Sequence, residues 1–575
     1  MPRLRWKNSE IVIYMKYKKI IFIITFFLAL LLCVLNEKKA NQITISENEK
    51  GLCFYIPYGN KKTETIYPWY DDSTGIWELF LPSHLNKNDT IKVVLDTEAW
   101  KFPCVETKNN CLSLENKIIY EMIDSDNNTS KFRINFSENI SSIFIKSESG
   151  TMRHINDNKS HEEKGTICSI NKNGEVEYFG NLESISGRGN GTWQQAKKPY
   201  NLKLTAQGAL AGLKPSKNWT LLAMHYEGDK IHSKIAYDLE KILGGKYPSE
   251  CTWVDVYFNG KYNGVYLLNN SVKGRFEFNT DGFLIEKELG YRVEGEHFFT
   301  DSGEAFEIKK SNSNPEQIMM NAQECEDTIF ANQLNSEKLD IESFVIQMMV
   351  DEISLNADSF KTSSYIYKLD GDSKVYAGPS WDYDGAFGEY LHQGENMVDP
   401  EGTHIVGGDQ LEWYYSLYEN PEILNMIAEK YENHAEELEY LINVKIDEYA
   451  DYIRTAIENE NIRWKFTEGT LHRAGTYRTW DNNVRYLKYF LNHRMNYLLD
   501  EYGIKSMKFE WEKTDKVHNV EFILNENETK SVQVIDGERI TNLPGDENWC
   551  FSYSGEEYYD VLPILEDCTL VLAEL

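Results

Sequence analysis

The sequence predicts an α+β chain of several domains, and three observations carry that prediction. Residues 40–160 are short apolar-alternating runs without helical periodicity, residues 165–400 mix strand and helix patterns, and residues 411–503 read as helix. A chain of 575 residues also exceeds what one hydrophobic core organises. With 41% hydrophobic and 26% charged residues the chain is globular rather than disordered. Its 60 Lys+Arg against 91 Asp+Glu leave a net charge of −31, which argues against binding a nucleic-acid backbone or coating an anionic membrane. Only 14 Pro and no repeat pattern exclude fibrous and low-complexity classes.

From the N-terminus, residues 20–35 (IIFIITFFLALLLCVL) are sixteen positions without a charge, preceded by Arg3, Arg5, Lys7, Lys16, Lys18 and Lys19. That polarity sends the following chain outward. The run is short for a span of about 20 residues and long for a signal core of about 7–15, and no small-x-small cleavage site follows. We expect residues 1–40 to be a signal-anchor, or else a cleaved signal peptide, with the bulk extracytoplasmic or secreted. Eight cysteines lie beyond the run, an even number that permits disulfides in an exported chain, and Cys104/Cys111 and Cys550/Cys568 are the local pairs. No cysteine–histidine spacing suits zinc.

Residues 41–160 carry strand-like runs at 53–56, 77–81, 91–95 and 143–146, separated by turn residues, and predict a β-sandwich-like domain. Residues 156–164 are polar throughout and read as a linker. In residues 165–505, 253–258 alternates as a strand, Asn259-Gly260 suits a type I′ turn, and 262–268 returns. Asp340 is an expected N-cap for a helix through Phe344, Val345, Met348, Met349 and Ile353. A second hairpin follows, turning at Asp370-Gly371-Asp372. Val484, Leu487, Leu491, Met495 and Leu498 share one helical face, with Gly503 at its C-terminal cap. Residues 506–575 return to short strands, a small β-module.

Three pieces carry chemistry. Ser186-Gly187-Arg188-Gly189-Asn190-Gly191 makes a glycine loop whose N–H groups suit phosphates, although a glycine-rich turn explains it alone. After it, alternation from Tyr200 places Tyr200, Leu202 and Leu204 on one face and Asn201 and Lys203 on the other, so that Lys203 stands where a phosphate clamp would sit; a solvated strand face is the plainer reading. Asp358 precedes the second hairpin, and Asp382 and Asp384 follow it. A hairpin returns its ends to one place, so these acids converge unless they are ordinary surface acids of an acidic protein. Converging carboxylates repel unless a proton or cation is shared, and hard oxygen ligands suit Mg²⁺ or Mn²⁺. Glycine loop, strand lysine, helix, loop aspartate, hairpin and metal aspartate is the linear order of a protein kinase, without its usual HRD or DFG spelling.

Residues about 165–500 resemble the spore-coat CotH-type kinase family. The matching pieces are Gly187-Arg188-Gly189-Asn190 with Thr192-Trp193, Lys198-Pro199-Tyr200 with Lys203-Leu204, and Trp219-Thr220-Leu221-Leu222-Ala223. They continue with Phe258-Asn259-Gly260-Lys261-Tyr262-Asn263-Gly264-Val265-Tyr266, Asn356-Ala357-Asp358-Ser359, and Ala377-Gly378-Pro379-Ser380-Trp381-Asp382-Tyr383-Asp384-Gly385-Ala386-Phe387-Gly388. The resemblance implies an atypical two-lobed protein-kinase-like core with a helical C-terminal part, phosphorylating Ser or Thr of proteins with ATP and Mg²⁺ or Mn²⁺. It implies Asp358 as the catalytic aspartate, Asp382 ahead of Asp384 as metal ligands, and Arg188, Gly189, Asn190, Lys198 and Lys203 as nucleotide-binding residues. One departure stands out: family members commonly carry a glutamate after the return strand, where this chain has Asn269-Asn270; Glu286, in Phe283-Leu284-Ile285-Glu286, offers an acid nearby instead. Expected partners are protein substrates and, through the apolar run, a membrane, with no nucleic acid. The alternative is a catalytically weak kinase-fold surface protein acting as a binding, coat or adhesion component. A carbohydrate-active enzyme, suggested by paired carboxylates and 13% aromatics, is a third reading.

Overall fold

The computed structural model describes residues 42–573, apart from 49–50, 59–61, 86–89, 96–99, 104, 106–110, 294, 335–336, 357, 360, 389–394, 403–411, 466–475 and 546–547. The apolar run at 20–35 and Cys104 lie outside the described residues. Among those described, no helix is long and apolar enough to cross a membrane.

The α+β expectation holds, with alternating runs forming sheets and the 3.6-residue patterns forming helices. At the N-terminal end, two sheets enclose one core. One has the order Lys62–Ile66, Gly51–Tyr58, Gln42–Asn48, Thr90–Leu95, Cys111–Glu115; the other pairs Ile76–Leu81 in parallel with Thr129–Phe136. Phe54 of the first stacks on Phe132 of the second, centroids 5.6 Å apart.

The centre of the molecule is a closed seven-stranded barrel. Its hydrogen-bonding order is Ser141–Ser147, Glu163–Ile170, Val176–Gly187, Tyr200–Gly208, Ser216–Leu222, Lys261–Asn270 and Cys251–Phe258. The last strand closes the ring by pairing in parallel with the first, Phe144 opposite Tyr257. The barrel thus begins at Ser141, not at 165, and the expected linker at 156–164 runs from the end of a short helix, Arg153–Asp157, into strand Glu163–Ile170. Alternation identified residues 143–146 as strand, but it carries no information on which sheet the strand joins. Tyr200, Leu202 and Leu204 fill the barrel interior with Trp219, Leu221, Val256 and Tyr266. The Asn259-Gly260 turn has φ of 50° and 81°, as a type I′ turn requires.

After the barrel, Phe283–Lys287 pairs with Ala305–Ser311 and with Ser364–Lys368, which forms the expected hairpin with Val375–Ala377. The helix Ile341–Ser354 is capped by Asp340, whose carboxylate accepts from the Ser343 N–H at 3.1 Å. It is buried with His232–Ile242, Ile446–Trp464 and Trp480–Glu501 in the largest core, and Gly503 follows the last helix with φ of 70°. Ile446–Trp464 also carries the N-terminal domain: Thr455 accepts from the Glu138 N–H at 2.9 Å, and Lys465 meets Asp71 at 3.0 Å.

The C-terminal module is a five-stranded sheet with Val517–Asn525 parallel to Cys568–Leu572 at its centre. Cys550 lies opposite Val571, so the expected Cys550/Cys568 disulfide does not form; both thiols are free. Tyr486 and Tyr489 of the last helix belong to this module's core.

Candidate functional site

The two acidic loops meet, and Asn356 joins them. Helix Ile341–Ser354 ends in Leu355 at φ 47°. The buried Asn356 then accepts from the Asp358 N–H at 3.3 Å and donates to the Asp382 carbonyl at 3.2 Å. The Phe387 N–H bonds back to the Ser354 carbonyl at 2.7 Å. The hairpin's two ends are therefore fixed side by side, and Asp358, Asp382 and Asp384 lie within electrostatic reach of one another.

Their electrostatics reflect that crowding. Burial raises the Asp382 carboxyl above the usual range; Arg188 opposes the rise, and Asp358 adds to it. Burial raises Asp384 further, with Asp382, then Glu227, then Asp358 adding repulsion. Asp358 is exposed at the edge of the cluster, yet the protein around it still lifts its carboxyl, while Arg292 and Lys361 pull it back. Asp382 has φ of 67° and its neighbour Ser363 has 55°, left-handed conformations that cost energy and mark a constrained site. Among the described residues, no three His, Cys, Asp or Glu are grouped closely enough to hold a metal ion.

The glycine loop brings one cation to these acids. Gly187 must lack a side chain because Trp193 packs where a Cβ would stand, and Gly189 takes φ of 77°. Between them Arg188 lies on the face of Trp381, 5.0 Å from the ring centroid, and its charge acts on Asp382 and Asp384. Arg275 lies 5.9 Å from the same ring, so Trp381 is flanked by two guanidinium groups. Lys198 is turned into its own loop, donating to the Trp193 and Gln195 carbonyls at 2.6 and 3.2 Å. Asn190 is exposed and accepts from Lys159 at 3.0 Å. Lys203, expected as the phosphate lysine, stands on the outer barrel wall, paired with Glu183 at 2.6 Å. Alternation put it opposite Tyr200 and Leu202, and those residues point inward.

Sequence reasoning missed the segment after Ala223. His225, Glu227, Gly228, Asp229, Lys230 and His232 are all buried. Glu227 accepts from the Ser233 hydroxyl at 2.8 Å, while its Oε2 has no hydrogen-bond partner; burial pushes its carboxyl to about 7. Lys230, at φ 64°, is pulled down to about 8 by burial and lies within electrostatic reach of Glu460 and Lys197. Lys197 is fully buried in an ion pair with Glu460 of helix Ile446–Trp464. Glu460 also accepts from the Val265 N–H at 2.6 Å, a reach possible because residue 264 is glycine. The available signal was charge density, three charged residues within Glu227-Gly228-Asp229-Lys230 directly after an apolar strand. Turns have the same composition.

Asn269 is fully buried and neither side-chain polar atom has a hydrogen-bond partner. Glu286 lies opposite Tyr365 on the neighbouring strand and is paired with Lys309, and Tyr365 in turn feels Arg188 and Asp382.

A family model described as CotH kinase protein matches residues 185–498, more than half of the chain; outside it lie the N-terminal domain, the first two barrel strands and most of the third, the short helix Arg153–Asp157 and the C-terminal module. No curated protein matches the chain.

Proposed function

We propose that this chain, which belongs to the CotH kinase family, is an exported Ser/Thr protein kinase that uses ATP and a divalent cation. The observation that carries the reading is that Asp358, Asp382 and Asp384 lie within electrostatic reach of one another and of the Arg188 guanidinium. Mutually raised carboxyls are what a cation would relieve, and Asp382 and Asp384 would hold it as a pair, with phosphate oxygens in place of a third acid. When bound there, a Mg²⁺ or Mn²⁺ ion would offset the charge of the ATP phosphates. Asp358, the most exposed of the three, would accept the proton of the incoming Ser or Thr hydroxyl. Arg188, held flat on Trp381, would clamp phosphate oxygens in the place first read for Lys203. In this reading the barrel serves as the small lobe, and the sheet and helices after Phe283 as the large one. The apolar run at 20–35 supports export, and protease added to intact cells should then digest the chain beyond residue 41.

Calorimetry of the full-length chain with Mn²⁺ and ATP tests the division of labour. Asp382→Ala should abolish binding, and Asp358→Ala should keep it and stop phosphate transfer. Arg188→Ala should lose about 1.5–3 kcal/mol, roughly ten- to a hundredfold in affinity. Equal loss of binding in the two aspartate variants would sink the assignment. One observation favours a second reading, a kinase-fold surface protein that binds without turnover: the unpartnered Asn269 where relatives carry an acid. Nucleotide binding without transfer by the unaltered chain would establish it.

A further inference from the structure

Between Asp382 and Asp384 stands Tyr383, a buried side chain that turns away from the acids toward helix Ile341–Ser354. We infer that Tyr383 is a positioning residue: its hydroxyl, fixed by Asp351 and Gln347 of that helix, sets the direction of the Asp382 and Asp384 carboxylates and so the hold of the site on its cation. The inference rests on the proposed kinase reading for the cation, while the contacts that carry it lie outside the acidic cluster.

Those contacts form a closed set. The Tyr383 hydroxyl donates to Asp351 Oδ1 at 2.6 Å and accepts from Gln347 Nε2 at 3.1 Å. The same Nε2 donates to Asp351 Oδ2 at 2.8 Å, so both amide protons are used. Gln347 Oε1 accepts from the Ser380 hydroxyl at 3.3 Å, and the Ser380 N–H donates to Glu240 Oε2 at 3.1 Å. Reversing the amide would set its oxygen against the Asp351 carboxylate, so the set has one polarity. Gln347 and Asp351 stand one helical turn apart on one face. From there they hold the loop at two points, at Ser380 ahead of Trp381 and at Tyr383 between the two acids.

The direction of the acids follows from these anchors. The charges of Asp382 and Asp384 meet Arg188 and Asp358, whereas Tyr383 meets Asp351 and Gln347. Asp382 takes φ of 67°, a conformation that the surroundings must enforce. Two contacts bracket it: Asn356 Nδ2 on the Asp382 carbonyl at 3.2 Å, and the Tyr383 hydroxyl one residue on. The Tyr383 ring lies edge-on to Tyr237, centroids 6.5 Å apart. A phenylalanine would keep that packing, so the hydroxyl alone ties this residue to the helix. Tyr237 supplies a matched control, because its buried hydroxyl has no hydrogen-bond partner among the described residues.

Calorimetry of ATP binding to the full-length chain over a series of Mn²⁺ concentrations tests the role. Tyr383→Phe should raise the Mn²⁺ needed for half-maximal ATP binding by about tenfold, the lower end of what loss of a supporting hydrogen bond costs a metal site. Saturating Mn²⁺ should bring its ATP affinity back to within about twofold of the unaltered chain, since only the hold on the cation has weakened. Gln347→Met, similar in length, removes both links to the loop and should raise the requirement at least as far, so the result does not hang on one variant's folding; thermal melts verify both. Tyr237→Phe should leave the requirement within about twofold. A deficit in Tyr383→Phe that saturating Mn²⁺ does not repair would mean general loosening of the core and overturn the proposal. So would a Mn²⁺ requirement in Tyr383→Phe and Gln347→Met no different from that of Tyr237→Phe; if Asp382→Ala still abolishes binding, the kinase reading survives that result. ATP binding by the unaltered chain that is indifferent to Mn²⁺ would remove the cation site and the positioning role together.

Discussion

Lys197 and Lys203 are six residues apart on either side of the start of one barrel strand, and they end in opposite surroundings. Lys197 is wholly buried between Glu460, the Val265 carbonyl and the Tyr266 ring, whose centroid is 4.5 Å away. Lys203 shares Glu183 with Lys217 on the outer wall, each side chain about two-fifths exposed. The sequence features that singled out Lys203 were proximity to the glycine loop and strand alternation, and both were read correctly. What decides the environment is the partner, and the partner of Lys197 arrives from 263 residues away. The wall of the barrel that faces the helices is thus a region of buried, paired charge, and the wall that faces water is ordinary surface.

The largest effect that would break this comparison is removal of the strand that closes the barrel. A chain beginning at residue 165 lacks Ser141–Ser147, which bonds both Glu163–Ile170 and Cys251–Phe258, and it also cuts into the former. Phe144, Cys168, Ile170, Tyr257 and Tyr262 further belong to the core of the N-terminal domain. We expect the 165–505 fragment to be insoluble or unfolded and a chain beginning at residue 42 to fold, as judged by circular dichroism and cooperative melting. A cooperative 165–505 fragment would mean that the barrel is dispensable to the inner wall.

Next in size is the buried pair itself. Lys197→Met leaves Glu460 buried without its cation, which costs about 3–5 kcal/mol. Burial pulls Lys197 below the ordinary lysine range against the attraction of Glu460, so the pair is held under tension from desolvation. The double variant Lys197→Met/Glu460→Gln should recover part of the loss, since removing both charges also removes the desolvation term. Urea titrations of the three proteins decide it. A double variant worse than either single would assign the cost to packing.

A smaller effect separates the two walls by pH. Burial pushes Glu227, Asp255 and Glu240 to about 7 and Asp351 to about 6. Each lies above the unfolded value of about 4, so the folded chain takes up protons first and gains stability as pH falls from about 7 toward 4. Asp281 and Asp536 lie at about 2, and their contribution is lost as pH falls below about 4. The Tm should therefore rise from pH 8 to about 5.5 and fall below 4. Relief of the −31 net charge acts in the same direction, so Asp255→Asn is the discriminating variant. Its Oδ2 is buried without a partner, and the neutral amide should raise the Tm at pH 8 and flatten the slope. A slope unchanged by that substitution would place the effect on the surface.

Local patterns recovered what local physics sets. The Asp340 cap, the Asn259-Gly260 turn, the hairpin around Gly371 and the Gly503 helix end all follow from short-range signals, and the convergence of Asp358 with Asp382 and Asp384 follows from hairpin geometry. Three features were not legible. Barrel closure depends on a parallel pairing between residues 144 and 257, and periodicity does not encode sheet partners. The buried charges at Glu227, Asp229 and Lys230 have the composition of an exposed turn. The setting of Arg188 is the third, because its support, Trp381, comes from the far loop.

The smallest expected effect is Lys203→Met, and its smallness is the point. Lys203 shares Glu183 with a second cation, Lys217 at 2.9 Å, so its removal leaves no uncompensated charge. Both groups are well solvated, and an exposed pair of this kind is screened by salt and contributes little. The methionine keeps the alkyl stem that lies along the wall. We expect the Tm to shift by no more than about 1 °C and Mn²⁺-ATP affinity by no more than about twofold. Measured beside Lys197→Met in the same buffer, the two variants delete the same charge six residues apart. Should Lys203→Met instead cost nucleotide affinity tenfold while Arg188→Ala costs nothing, the outer wall would be the phosphate face. Trp381 would then support Arg188 for packing alone.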